Sequence, residues 1–102
     1  MIQLKISGKI PQSAANHARL IGDLCRTLKQ NHAAKYRSIE IMGPIEASLT
    51  RIADRFRWQI LLKGSSSRAL HQFINQLLAQ NPTDFARRRV QVAIDVDPVF
   101  LM

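Results

Sequence analysis

Two carboxylates, Asp95 and Asp97, stand two residues apart near the end of the chain. On a strand that spacing puts both on one face, where a pair can do acid–base work or hold a metal ion. No nucleophile or third ligand accompanies them, and Arg57 or the Arg87-Arg88-Arg89 run is available to neutralise them. Structural ion pairs are therefore their expected role. Lys63-Gly64-Ser65-Ser66-Ser67-Arg68 offers a different chemistry. The backbone N–H groups of a helix start, together with Arg68, can receive an anion. The lysine precedes the glycine, however, and the Gly-x-x-x-x-Gly-Lys-Ser/Thr spacing of a phosphate loop is missing. Helix capping by serine is the expected use of this stretch. His17, His32 and His71 show no i, i+4 metal spacing. A single cysteine, Cys25, excludes an internal disulfide and a cysteine-rich zinc cage. The chain carries no catalytic constellation and no metal set that its spacing would reveal.

These residues need elements to position them. Ile2-Gln3-Leu4-Lys5-Ile6 alternates with period two, the mark of a half-buried strand. Pro11 suits the first turn of a helix, where its missing N–H costs nothing. From there Ala14, His17, Ala18, Ile21, Leu24, Cys25 and Leu28 recur at three- and four-residue steps, which predicts an amphipathic helix ending near His32. Ile39 and Ile41 mark a short strand stopped by Gly43-Pro44. Residues 44 to 55 fit either a short helical turn or an irregular loop, with Ile45, Leu49 and Ile52 as their apolar members. A third strand covers about Phe56 to Lys63. One of Ser65, Ser66 and Ser67 caps a second helix, with Leu70, Phe73, Ile74, Leu77 and Leu78 inward, and Asn81-Pro82 ends it. The last strand carries Val90, Val92, Ile94 and Val96 on one side.

The order β-α-β-β-α-β is the split βαβ arrangement. One apolar stripe per helix and one apolar side per strand predict an α+β, ferredoxin-like two-layer sandwich, a four-stranded sheet with two helices on one face. Alternation then turns Gln3, Lys5, Ser7, Arg57, Gln59, Lys63, Gln91 and Asp95 outward, with Glu40 beside them. That face either tracks a phosphate backbone or is the solvated side of an antiparallel sheet. Leu61 and Ala93 dilute its polar set and suggest partial cover by another domain. An RNA recognition motif shares the element order but needs outward aromatics on its first and third strands. Phe56 and Trp58 fall inward with Ile60 and Leu62, so the base-stacking platform is missing.

The charge agrees with an anionic partner. Fifteen Lys plus Arg against seven Asp plus Glu leave a net charge of +8 in 102 residues. Such a surplus favours nucleic acid, an acidic peptide or an anionic surface; solubility alone is the bland account. A composition of 46% hydrophobic and 22% charged residues belongs to an ordered globular chain. No signal peptide or membrane span is visible, and a cytoplasmic domain is expected.

Four blocks of the chain, Ile6-Ser7-Gly8, Gly43-Pro44, Arg57-Trp58-Gln59-Ile60-Leu61-Leu62-Lys63 and Asp95-Val96-Asp97-Pro98, resemble in order and spacing the C-terminal domain of primosomal protein N′, the PriA-type replication restart helicase. The resemblance implies a single domain over residues 1–102, the C-terminal part of a larger 3′-5′ helicase. It implies the same fold, similar to a small-subunit ribosomal protein, and a partnership with branched or single-stranded DNA. On that reading Lys5, Arg57, Gln59, Lys63, Arg87, Arg88 and Arg89 are the DNA contacts. It further implies a pocket for the acidic, phenylalanine-ended tail of the single-stranded DNA-binding protein, carried by Arg68 with His71 and Gln72. Relatives open the second helix with Pro-Ser-Arg, whereas this chain reads Ser65-Ser66-Ser67-Arg68. ATP, magnesium and zinc belong to the helicase core, whose motifs this chain lacks, so no cofactor is expected here. A structural domain that braces the helicase lobes and a ribosome-associated RNA binder are the alternatives.

Overall fold

The computed structural model describes residues 1–46, 56–86 and 89–96. They form β1 (Ile2–Gly8), α1 (Pro11–Asn31), β2 (Glu40–Glu46), β3 (Phe56–Lys63), α2 (Ser67–Gln80) and β4 (Val90–Val96). The four strands make one antiparallel sheet in the order β2-β3-β1-β4. With β1 and β3 central and both helices inserted as crossovers, this is the α+β ferredoxin-like sandwich that the hydrophobic pattern predicts.

Register explains why the alternation was readable. β1 is flanked on both sides, so Leu4 meets Ile60 and Ile94, and Ile6 meets Trp58 and Val92. Every such row points the same way, and the inner face is apolar across the sheet. α1 lays Ala14, His17, Ala18, Ile21, Cys25 and Leu28 against it, while α2 contributes Leu70, Phe73, Ile74 and Leu77. α1 starts at Pro11 without a side-chain cap, as a proline in the first turn allows. α2 starts at Ser66, whose hydroxyl accepts from the Ala69 N–H at 3.3 Å. Helix capping is thus what the serine run does.

β2 departs from expectation. Gly43-Pro44 was expected to stop the strand, yet β2 runs through it to Glu46, with a register shift between Met42 and Ile45. The shift is a bulge, and β2 is an edge strand; both are places where a residue lacking an N–H fits a sheet. The Gly43–Pro44 peptide is cis and Gly43 has φ 110°. Glycine is required here: a Cβ would stand 2.7 Å from the Gln59 carbonyl oxygen, and that φ is one other residues rarely take. α1 rests on the bulge. A Cβ on Gly22 would come within 3.0 Å of Pro44 Cδ, and an Arg26 Nη2 N–H donates to the Gly43 carbonyl. Of the ambiguous stretch 44–55, the first three residues therefore belong to a strand; residues 47–55 lie outside the described part.

Periodicity also missed Tyr36. It sits in the turn between α1 and β2, fully buried, its ring edge-on to Phe73 with centroids 4.9 Å apart. Its hydroxyl donates to Gln76 Oε1 at 2.5 Å, and Gln76 Nε2 in turn lies 3.1 Å from His32 Nε2. Trp58 and Phe56 face inward as expected but are only partly buried. Trp58 lies across from Glu46, at the end of β2 where cover runs out.

The two aromatics should separate in a denaturant titration. Phe73→Ala should cost about 3–5 kcal/mol, as large core truncations do, and Trp58→Ala on the order of 1–2 kcal/mol. Equal losses would contradict the packing. Cys25 gives a second readout, since burial, only partly opposed by the Arg26 charge, pushes its thiol from 9.0 up to about 12. A raised folded value favours the native state below pH 9, and this contribution is lost as the pH climbs from 9 toward 12. At neutral pH a thiol reagent should label Cys25 only along the unfolding curve; rapid labelling of the native chain would place the thiol outside the core.

Candidate nucleic-acid interface

The sheet's outer face is built by the same register that buries the inner one. Across it run Met42, Leu61, Gln3 and Asp95 in one row, and Ile45, Gln59, Lys5 and Ala93 in the next. Arg57 lies opposite Ser7, which lies opposite Gln91. The outward assignment of Lys5, Arg57, Gln59 and Lys63 therefore holds. Their grouping is looser than the alternation implied. Arg57 and Lys63 stand at opposite ends of β3, about 20 Å apart at the rise of a strand. Lys63 pairs in register with Glu40.

Lys5 is at the centre of the face and is engaged there. Its Nζ lies 3.3 Å from Asp95 Oδ2, with side chains 53% and 56% exposed. Asp95 is thus an ion-pair partner, as expected of it, but to Lys5 on the neighbouring strand and not to an arginine. An exposed pair of this kind adds little to stability, yet it offsets the charge that Lys5 presents. Gln3 Nε2 donates to Gln59 Oε1 beside it. Neither Arg57 nor Lys63 has an ion pair among the described residues. The Arg57 side chain is partly buried, and its Nε, shielded from solvent, makes no hydrogen bond among the described residues. A guanidinium N–H left without an acceptor is costly to keep, and because it is shielded it can meet an anionic oxygen only once the side chain swings outward. Arg89 is exposed immediately before β4, next to Gly8 and therefore at Arg57's end of the sheet. Arg87, Arg88 and Asp97 lie outside the described residues.

Alternation gave no warning of the apolar row's full extent. The bulge at Gly43 turns Ile45 outward beside Gln59, where it is 48% exposed. With Met42 and Leu61 it forms an apolar strip on the β2–β3 side of the face, while Ala93 on β4 lies beyond Gln59 and Lys5.

The opposite layer carries the second candidate set. Arg68, His71 and Gln72 are all exposed on the first turns of α2, and their i, i+3, i+4 spacing puts them on one surface. α2 contains no acidic residue, so its N-terminal dipole and Arg68 both favour an anion there. The three histidines are not brought together. His17 is buried and donates from Nε2 to the Asp84 carbonyl at 2.7 Å, tying the turn after α2 to α1. His32 bonds Gln76 and His71 is exposed. No group of three or more His, Cys, Asp or Glu residues among the described ones is placed to hold a metal ion. No helix among the described residues is long and apolar enough to cross a membrane.

The family model of the primosomal protein N C-terminal domain matches residues 1–99. The chain is 32% identical over 100 residues to the replication restart protein PriA of Synechocystis sp., covering 97% of this chain and 11% of that protein. It is 27% identical over 63 residues to the replication restart protein PriA of Bacillus subtilis, covering 62% of this chain and 8% of that protein. The chain thus spans about a tenth of the length of the curated relatives it matches.

Proposed function

The chain belongs to the primosomal protein N C-terminal domain family, and from that premise we propose that it is a non-catalytic DNA-binding and docking domain of an ATP-dependent replication restart helicase. The observation that carries the reading is a family match along almost the whole of a chain with a net charge of +8. In this account the helicase chemistry, with its ATP, magnesium and zinc, resides in the rest of the parent protein, in the cytoplasm. The domain contributes affinity for branched or single-stranded DNA, which its charge would hold by the phosphate backbone.

On the sheet face the contacts fall to Arg57 and Lys63, with Gln59 between them and Arg87, Arg88 and Arg89 leading into β4. Lys5 contributes once DNA phosphate competes with Asp95 for its ammonium. Phe56 and Trp58 point into the sandwich and leave no base-stacking platform, which argues against an RNA recognition mode. The bracing alternative has one observation in its favour. The strip of Met42, Ile45 and Leu61 is the kind of surface a neighbouring domain of the parent chain would cover. Docking of the acidic, phenylalanine-ended tail falls to Arg68, His71 and Gln72, where a cation meets an exposed helix start free of acidic side chains.

Anisotropy titrations of the 102-residue chain with forked and single-stranded DNA test the main reading. Binding should weaken steeply with salt and show little sequence preference. Arg57→Ala with Lys63→Ala should flatten the log–log salt slope by about one unit per lost contact. No salt-dependent binding by the wild-type chain would favour bracing instead. For the docking role, Arg68→Glu should weaken an acidic, phenylalanine-ended peptide at least tenfold, roughly the loss of one charge-assisted hydrogen bond. Unchanged peptide affinity would take the tail off α2.

A further inference from the structure

The described cations are unevenly divided between the two layers. Residues 9–39, which include α1, hold six cations, Lys9, Arg19, Arg26, Lys29, Lys35 and Arg37, against a single carboxylate, Asp23. Asp23 is engaged with Arg26, at 3.8 Å from Nη1, and Arg26 also holds the Gly43 carbonyl. No carboxylate among the described residues lies within ion-pair distance of Arg19, Lys29, Lys35 or Arg37. Arg19, Lys35 and Arg37 are exposed, and Lys29 is partly so. The sheet face, by contrast, sets Asp95 against Lys5 and Glu40 opposite Lys63. Among the described residues, the cations without a facing carboxylate are therefore concentrated on the helical side.

Resting on the DNA-binding reading, we propose that the exposed side of α1 and the turn after it form a second phosphate-contacting surface, independent of the sheet face. Three features fit a nucleic-acid backbone. Arg19 to Lys29 spans about 15 Å of helix, the length over which one DNA strand presents roughly four phosphates. Between the cations, Gln12, Asn16 and Gln30 are exposed amides that can also reach phosphate or sugar oxygens. No aromatic or large apolar side chain is fully exposed on this side of α1 to serve a hydrophobic ligand. Helix-dipole compensation accounts for Lys29 in the last turn, but not for Arg19 at mid-helix or Arg37 beyond the end. α1 covers the inner face of the sheet, so its exposed side and the sheet's outer face look in opposite directions. One straight strand cannot occupy both. The domain then holds two backbone segments at once, one on each side.

The test compares three proteins in the same salt titration: wild type, Arg57→Ala/Lys63→Ala, and Arg19→Ala/Lys29→Ala/Arg37→Ala. None of the last three residues is buried in the core or hydrogen-bonded to it, so the triple variant should keep the wild-type unfolding curve. The α1 triple variant should flatten the salt slope by about two to three units on a fork, with an effect that adds to that of the sheet variant. A wild-type slope in the triple variant would overturn the second surface while leaving the DNA-binding reading intact. Absence of salt-dependent DNA binding by the wild type would sink that reading itself. Poly-glutamate binding that is as tight as DNA binding and lost in parallel would also overturn the proposal, marking an acidic protein as the occupant.

Discussion

Burial of the α1 stripe against one side of the sheet is the constraint on which everything else depends. Ile21, Cys25 and Leu28 have to lie over Leu4, Ile60 and Leu62, and that packing fixes which side of each strand is inside. Once it is fixed, the period-two alternation leaves the charged residues no place but the two outer surfaces. The raised thiol of Cys25 is a by-product of the same exclusion of water. Among the described residues, the buried set carries polar groups at His17, whose ring is bonded to a backbone carbonyl, and at Tyr36, whose hydroxyl is bonded to Gln76. Among the described residues no lysine or arginine belongs to the buried core, so their charge is available to a partner without disturbing the fold.

The bulge in β2 is the point where α1 and the sheet are locked in position along their axes. Pro44 packs into the space that Gly22 leaves open, and Arg26 reaches the Gly43 carbonyl from the same helix. These contacts hold the one acid of α1 next to Arg26 and leave Arg19 and Lys29 free of carboxylates. The local irregularity thus shapes the electrostatics of the helical side. It also turns Ile45 outward and gives the sheet face its apolar strip, so the two faces differ in kind: one nearly uniform in charge, the other mixed.

Elements with strong periodicity were legible from the residues. The bounds of α1, α2, β1, β3 and β4 follow from alternation, three-and-four spacing, Pro11 and the serine run, because in those stretches local pattern and tertiary burial agree. β2 was not legible in full, since Gly43-Pro44 reads as a terminator and only pairing with β3 reveals a bulge. Tyr36 gave no signal, being a lone aromatic in a polar turn whose burial depends on Phe73 and Gln76 far along the chain. For the candidate site, which residues face outward could be read, because one rule assigns them. Which cations are engaged could not, because Lys5 meets Asp95 and Lys63 comes to stand opposite Glu40 only through strand register. The cations of α1 were overlooked for a related reason: attention to its buried stripe said nothing about the other side of the helix.

Backbone amide spectra of the 102-residue chain during titration with a short fork test the central claim most directly, namely that outer cations and not the core meet the phosphate backbone. At low salt, shifts should concentrate around Arg57 and Arg89 on one side and Arg19, Lys29 and Arg37 on the other. Leu4, Ile60 and Phe73 should stay still, and high salt should erase every shift. Shifts that survive high salt, or that centre on the apolar strip of Met42, Ile45 and Leu61 while the arginines do not respond, would contradict the account.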